Sequence, residues 1–256
     1  IVQGGVTKGI AFGVNNATFG SGEAMRIDSS GNLLVGTSDT SPVGNNDSDG
    51  IALLSNGSGQ FSRDGGTALL LNRKTSDGEL LRFNKDGTTI GSIGARSGDL
   101  FVGTGDTGLR FVNGDNAIVP WNTSTNAGRD SAIDIGTMTY RFDNIYRSGS
   151  TYSMSDRNMK QDIRDLTDAE RNVAVACKGL LKAFRYIDEV EKNGDEANIH
   201  FGIIAQELAE AFEAQGLDVN DYQVYNSSTY TDDEGNEQTR LNVCYENLLA
   251  FIISAI

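Results

Sequence analysis

The 256-residue sequence predicts a mainly β, Gly-rich front segment that completes its core only as a trimer, followed by an α+β domain. Three observations carry this. First, composition breaks near residue 150: 26 of the 31 Gly precede residue 151. Charge breaks with it. Residues 1–150 hold 12 basic and 15 acidic side chains, a net of −3, whereas residues 151–256 hold 9 and 20, a net of −11. Such a shift marks a domain boundary, placed here at 1–154 and 155–256. Second, hydrophobic residues make up only 38% of the chain, low for a self-sufficient globule. Third, the front carries short apolar runs broken by Gly, Asn, Asp and Ser, whereas the back carries apolar residues at helical spacing.

In the front segment, residues 25–28, 33–35, 68–71, 80–83, 100–102 and 109–112 read as strands of three to five residues, with hairpin turn chemistry between them. A weak repeat runs through them: Arg26-Ile27…Gly31, Arg82-Phe83…Gly87 and Arg110-Phe111…Gly114 share an Arg, an apolar residue, a polar turn and a Gly. Gly-rich strands mimic repeats easily. Strands this short and sparsely apolar bury little in one copy, and their edges invite aggregation. Winding three identical chains about one axis answers both problems. An intertwined, β-helix or prism-like arrangement follows.

Behind the boundary, Thr167-Asp168-Ala169-Glu170 is a capping box. It opens a helix whose buried face is Val173, Ala176, Cys177, Leu180 and Leu181, stopped by Gly179. Residues 183–190 read as a strand, 192–195 as a turn and 198–204 as a second strand. Gln206–Gln215 is a helix closed by Gly216. Residues 232–236 form a hairpin turn between strands at 224–231 and 238–243. Tyr245–Ile256 opens a final helix, apolar on most faces, that a small monomer cannot cover.

The chemistry concentrates at Ser155-Asp156-Arg157-Asn158-Met159-Lys160. A lysine serves as general base for a serine when desolvation or a nearby cation lowers its pKa. On a regular helix, positions five apart lie about 140° apart, so the pair meets only if Ser155 is extended ahead of the helix. A simpler role is available: Ser155 or Asp156 as N-cap of a short helix over 158–166. A Ser/His/Asp triad has one His to draw on, His200, which strand alternation turns away from Ile199 and Phe201. It reads as a structural or surface residue. Trp121 is a weak candidate for stacking a sugar ring, and filling the trimer axis is the plainer use of its bulk. Arg96, Arg110 and Arg129 could meet acidic sugars but need no such task.

No cofactor or metal is expected. Cys177 and Cys244 are isolated and read as core residues rather than a disulfide framework or zinc site. Asp47, Asp49, Asp115 and Asp130 show no calcium-loop order. A pI near 4.4 argues against nucleic acid and anionic membranes. The longest apolar stretch, within 248–256, is too short to insert in a bilayer. The N-terminus lacks signal-peptide order. Starting without Met, the chain reads as a fragment, with its last helix cut short.

Ser155-Asp156…Lys160…Ile163…Leu166 resembles the start of the self-cleaving C-terminal intramolecular chaperone of phage endosialidases, tail fibres and neck appendages. Phe201-Gly202-Ile203-Ile204-Ala205-Gln206-Glu207-Leu208 resembles a second motif of that family, and Leu241-Asn242-Val243-Cys244-Tyr245-Glu246-Asn247-Leu248-Leu249-Ala250 a third. The family often has Arg two positions before the Lys, where this chain has Asn158 beside Arg157. In front, 25–33 and Asp134-Ile135-Gly136…Tyr140-Arg141-Phe142-Asp143-Asn144-Ile145-Tyr146 resemble tail-fibre stretches.

The resemblance implies a homotrimeric tail-fibre tip on the virion, assembled in the host cytoplasm, that contacts a bacterial surface polysaccharide or receptor. It also implies a chaperone domain that nucleates trimerisation and then cuts itself off. In that reading Ser155 is the nucleophile, Lys160 the base, and the Ser155-Asp156 bond the cleavage site. Two alternatives stand beside it: a structural or adhesive trimer with its C-terminal domain uncleaved, and a tailspike depolymerase.

Overall fold

The computed structural model describes residues 10–13, 23–44, 48–137, 139–232 and 234–255. Asp47, Asp233 and Ile256, which figured in the sequence reading, lie outside them. The chain divides into two compact units, Ile1–Ile133 and Asp134–Ile256. The first is β-rich and the second α+β, as the composition break implies.

The first unit holds two antiparallel meanders. One orders β1 (Ile10–Gly13), β2 (Glu23–Ile27), β3 (Leu33–Val35), β4 (Gly50–Leu53) and β5 (Gly59–Ser62) side by side. The other runs β6 (Gly78–Lys85), β7 (Thr88–Arg96), β8 (Asp99–Thr104), β9 (Thr107–Val112), β10 (Ala117–Asn122) and β11 (Ala127–Gly128). Each strand pairs with the one before it, so the short turns set the topology. One such turn joins β2 to β3. Asp28 accepts from the backbone N–H of Ser30 and Asn32 at 2.9 Å each, and Gly31 takes φ +83°, where a Cβ would strain. Those bonds hold the Asp28 carboxyl below its ordinary range, the Asn32 amide first among them.

The two meanders share an inverted sidedness. Register places Phe12, Met25, Ile27, Leu33, Val35, Ile51, Leu53 and Phe61 on one face of the first sheet. Phe12, Ile27, Leu53 and Phe61 of that face are exposed, whereas Leu34 and Ala52 of the opposite face are buried. In the second sheet, one face presents Leu81, Phe83, Leu100, Val102, Leu109, Phe111 and Ile118, each 36–62% exposed. Its opposite face holds Phe101 and Trp121, both buried. Rows of Leu, Ile and Phe therefore lie exposed on one face of each sheet.

The inner face closes on backbone. A Cβ on Gly94 would stand 2.3 Å from the Phe101 ring, so Phe101 occupies the space glycine leaves. Arg110 lies 4.9 Å above the Trp121 ring and pairs with Asp99 at 2.7 Å.

The Arg repeat is partly structural. Arg26 pairs with Glu23 and Arg82 with Glu79, three residues earlier in each case. A register shift lies just after each Glu, at 23/25 and at 79/81. The extra bulge residue puts positions three apart on one face. Arg110 departs from this, taking Asp99 from a neighbouring strand. Residues 68–71, read as a strand, have no regular structure, and Leu69–Leu71 are exposed. They lie in a Gly- and Ser-flanked run where no strand among the described residues pairs with them.

The second unit has a closed core. α1 (Asp168–Cys177), α3 (Ala205–Glu213) and α4 (Tyr245–Ile253) pack around Val173, Cys177, Ile203, Leu208, Phe212, Val219, Val224 and Leu248. Two ribbons complete it: β12 (Leu181–Phe184) with β13 (His200–Ile203), and β14 (Tyr225–Thr231) with β15 (Glu237–Val243). Burial raises the Cys177 thiol above its usual pKa, as fits a core residue. The strand expected over 183–190 is instead the end of β12 followed by α2 (Ile187–Asn193). Asp188 and Glu189 fall in its first turn, where the helix dipole favours acids. The helix expected over 158–166 is reduced to a 3-10 turn, Arg157–Met159. Asp162 beyond it has φ +52°, a left-handed conformation that stops propagation.

Candidate functional site

Ser155 precedes the 3-10 turn and Lys160 follows it. Asp156 caps the turn with extended dihedrals (φ −68°, ψ 132°), its carboxylate accepting from the Asn158 N–H at 2.9 Å. Lys160 leaves it extended as well (φ −126°, ψ 145°). A tight turn between two extended flanks brings the two side chains to one side, which a continuous helix would not do. Lys160 Nζ donates to Ser155 Oγ at 2.8 Å. Residues 151–165 are exposed throughout, so the pair stands open to solvent in one copy.

The rest of the second unit anchors this stretch. Thr167 Oγ1 accepts from the Glu170 N–H, and the Thr167 N–H donates to Glu170 at 2.7 Å, the capping box read from sequence. The structure adds what the sequence reading missed. Arg164 reaches Glu170 with both terminal nitrogens, at 2.6 and 2.8 Å, and the Tyr222 hydroxyl donates at 3.1 Å. The Glu170 side chain is 3% exposed. Arg164 above all holds its carboxyl far below the ordinary carboxylate range, and the Thr167 and Tyr222 donors add to this against burial. Burial, with that carboxylate beside it, pushes the Tyr222 hydroxyl upward. A capping-box Glu was legible, but its partners at 164 and 222 are set by tertiary packing.

The other singled-out residues lie apart from this pair. His200 meets Glu189 at 2.9 Å and packs against Tyr186 and Phe184, with ring centroids at 4.8 and 6.0 Å. These partners make it part of the β12–α2–β13 cluster. Trp121 is buried in the second sheet, its Nε1–H donating to Asn126 at 3.2 Å, so its ring is not presented for stacking a sugar. Gly202 and Tyr245, from the second and third motifs, explain one another. The Tyr245 hydroxyl accepts from the Ile203 N–H at 3.0 Å and would stand 2.3 Å from any Cβ on Gly202.

Residues 155–217 match the family model described as chaperone of endosialidase. The chain is 29% identical over 160 residues to a tail spike protein of Escherichia virus K5, covering 62% of this chain and 23% of that protein. It is 33% identical over 123 residues to a capsule K3-specific depolymerase 1 of Klebsiella phage KP32, covering 44% of this chain and 12% of that one. The chain thus spans less than a quarter of the length of these relatives. Its fold is similar to the carboxy-terminal domain of the bacteriophage T5 L-shaped tail fibre with its intra-molecular chaperone domain. The TM-score there is 0.55 at 14% identity, over 96% of this chain and 88% of that one. A β-rich unit is therefore followed by a segment, residues 155–217, that matches the chaperone of endosialidase model, in a chain whose fold is similar to that of a tail-fibre carboxy-terminal domain.

Proposed function

We propose that the chain is the tip of a homotrimeric phage tail fibre or spike. Residues 155–256 act as an intramolecular chaperone that is cut free by Ser155 and Lys160 after assembly. The observation that carries this is the 2.8 Å contact between Lys160 Nζ and Ser155 Oγ. Assembly is the step at which Lys160, in contact with Ser155, acts as the base. The neutral amine then takes the serine proton. The alkoxide adds to a backbone carbonyl at the Ser155-Asp156 junction, and the C–N bond breaks as Lys160 returns the proton to the leaving nitrogen. Water hydrolyses the ester, leaving a carboxylate and a free amine. Each chain turns over once.

The bare apolar faces of both meanders support the trimer: three copies can bury what one leaves in water. The kinetic rationale follows. Non-local β pairing is slow and prone to misassociation, and the second unit, with its own core, can form first and hold three chains in register. Cleavage then removes the reverse route. The surface contacted is a bacterial polysaccharide, in line with the relatives named tail spike and capsule depolymerase.

The reading is tested on the purified chain. The parent should give two fragments meeting at the boundary by mass spectrometry and a denaturing gel, and Ser155→Ala and Lys160→Ala should each give one band. Two bands from either variant would exclude the dyad. The capping of the 3-10 turn by Asp156 favours a second reading, in which the pair is structural and the trimer stays uncut; a single intact mass for the parent would establish it.

A further inference from the structure

Residues 155–163 make hydrogen bonds only among themselves among the described residues: the Asp156 cap, the 3-10 turn and the Lys160–Ser155 contact. The stretch is exposed along its whole length. It carries no packed side chain that could fix it on the second unit. The first bonds that tie it to packed structure come from Arg164, which sends two nitrogens to Glu170. Three residues separate Arg164 from Lys160, a span of at most about 14 Å, and Asp162 turns the chain within it.

Glu170 is itself held from three directions. Thr167 supplies a backbone N–H and a hydroxyl, Tyr222 supplies a hydroxyl, and α1 supplies the backbone that carries the carboxylate. Tyr222 packs on Phe212 at a ring-centroid distance of 4.8 Å, and Phe212 is fully buried. A carboxylate this buried is anchored only once α1 and α3 are packed. A two-pronged guanidinium bond fixes direction as well as distance, which a lysine does not do.

We infer that Arg164 is a positioning residue for the cleavage: its fork on Glu170 holds residues 155–163 in place on the second unit, so the reactive pair is set only when that unit's core is folded. This rests on the self-cleavage proposed above. A segment released at this point keeps Ser155 and Lys160 close in sequence but loses their placement against the rest of the assembly. Misplacement of about 1 Å costs on the order of 10²-fold in rate.

The test measures the first-order rate of fragment appearance in the full chain for the parent, Arg164→Ala and Arg164→Lys. Folding and oligomeric state are measured separately with Ser155→Ala added to each, so that cleavage does not intervene. Arg164→Ala should slow cleavage about 10²-fold while its Ser155→Ala counterpart still folds and keeps its oligomer mass, melting at a lower temperature for the loss of the Glu170 partner. Low-millimolar guanidinium ion should restore part of the rate, a response that a purely structural loss would not give. Arg164→Lys, which keeps the charge but not the fork, should fold and remain slow. Parent-like cleavage in either Arg164 variant overturns the inference. So does slow cleavage in Arg164→Ala accompanied by loss of fold with a parent-like rate in Arg164→Lys. An uncleaved parent removes instead the self-cleavage on which the inference stands.

Discussion

The two units solve burial in opposite ways. The second places Val173, Leu208, Phe212 and Leu248 from three helices against one another and seals them, each at most 1% exposed. The first buries Leu34, Ala52, Phe101 and Trp121 on the faces whose glycines and small residues let backbone approach, and leaves its longer rows of Leu, Ile and Phe in water. Hydrophobic burial is the main favourable term in folding. One unit therefore has within a single chain what it needs to fold, and the other has half of it. Under the proposed assembly, the self-sufficient unit forms early and the other waits for its copies.

Four measurements break or sharpen that contrast, beginning with the largest effect. Phe212→Ala removes a fully buried ring from the closed core and should cost about 3–5 kcal/mol. Denaturant unfolding of the full chain reads it, and the front unit should fail to assemble along with it. An assembled, ordered front on an unfolded second unit would reverse the proposed order. Next, Leu100→Glu with Leu109→Glu charges the outward face of the second sheet. A sheet that works alone would tolerate this, because both positions are exposed in one copy. Light scattering should instead show the proposed trimer lost.

Gly94→Ala puts a Cβ into the Phe101 ring. Overpacking of this kind costs about 1–3 kcal/mol and should appear as a lower melting temperature of the front unit with the second unit unaffected. The smallest change concerns Glu170. Its carboxyl is held below the ordinary range, so the stability it lends is complete above about pH 4.3 and is lost as the pH falls below that value. The melting temperature of the second unit should drop through that acid range, and Glu170→Gln should flatten the drop. An unchanged slope would mean that other carboxylates dominate the acid response.

Much of this was legible in the residues themselves. The Thr167 and Glu170 capping box, the helices at 168–177 and 205–213, and the hairpin turned at 232–236 follow from local rules, because caps and turns act over three or four positions. The motifs at 155–166 and 201–208 fall within the segment that matches the chaperone of endosialidase model, and Gly202 sits where the Tyr245 hydroxyl leaves no room for a Cβ. Errors fell where local preference is weak. Residues 183–190 alternate well enough for a strand, yet Asp188 and Glu189 suit a helix start, and only packing chose between them. Residues 68–71 are apolar enough for a strand but pair with no strand among the described residues.

By itself, the sequence determined that a Gly-rich β segment is followed by one of a different, helix-containing kind, and that Ser155 and Lys160 could meet only outside a regular helix. Tertiary structure alone decided which face of each sheet is turned to water, because alternation marks two faces without saying which is inside. It alone decided that Arg164 and Tyr222 converge on Glu170, since those partners stand 6 and 52 positions away. The Tyr222 contact forms only once the helices between 170 and 222 have packed.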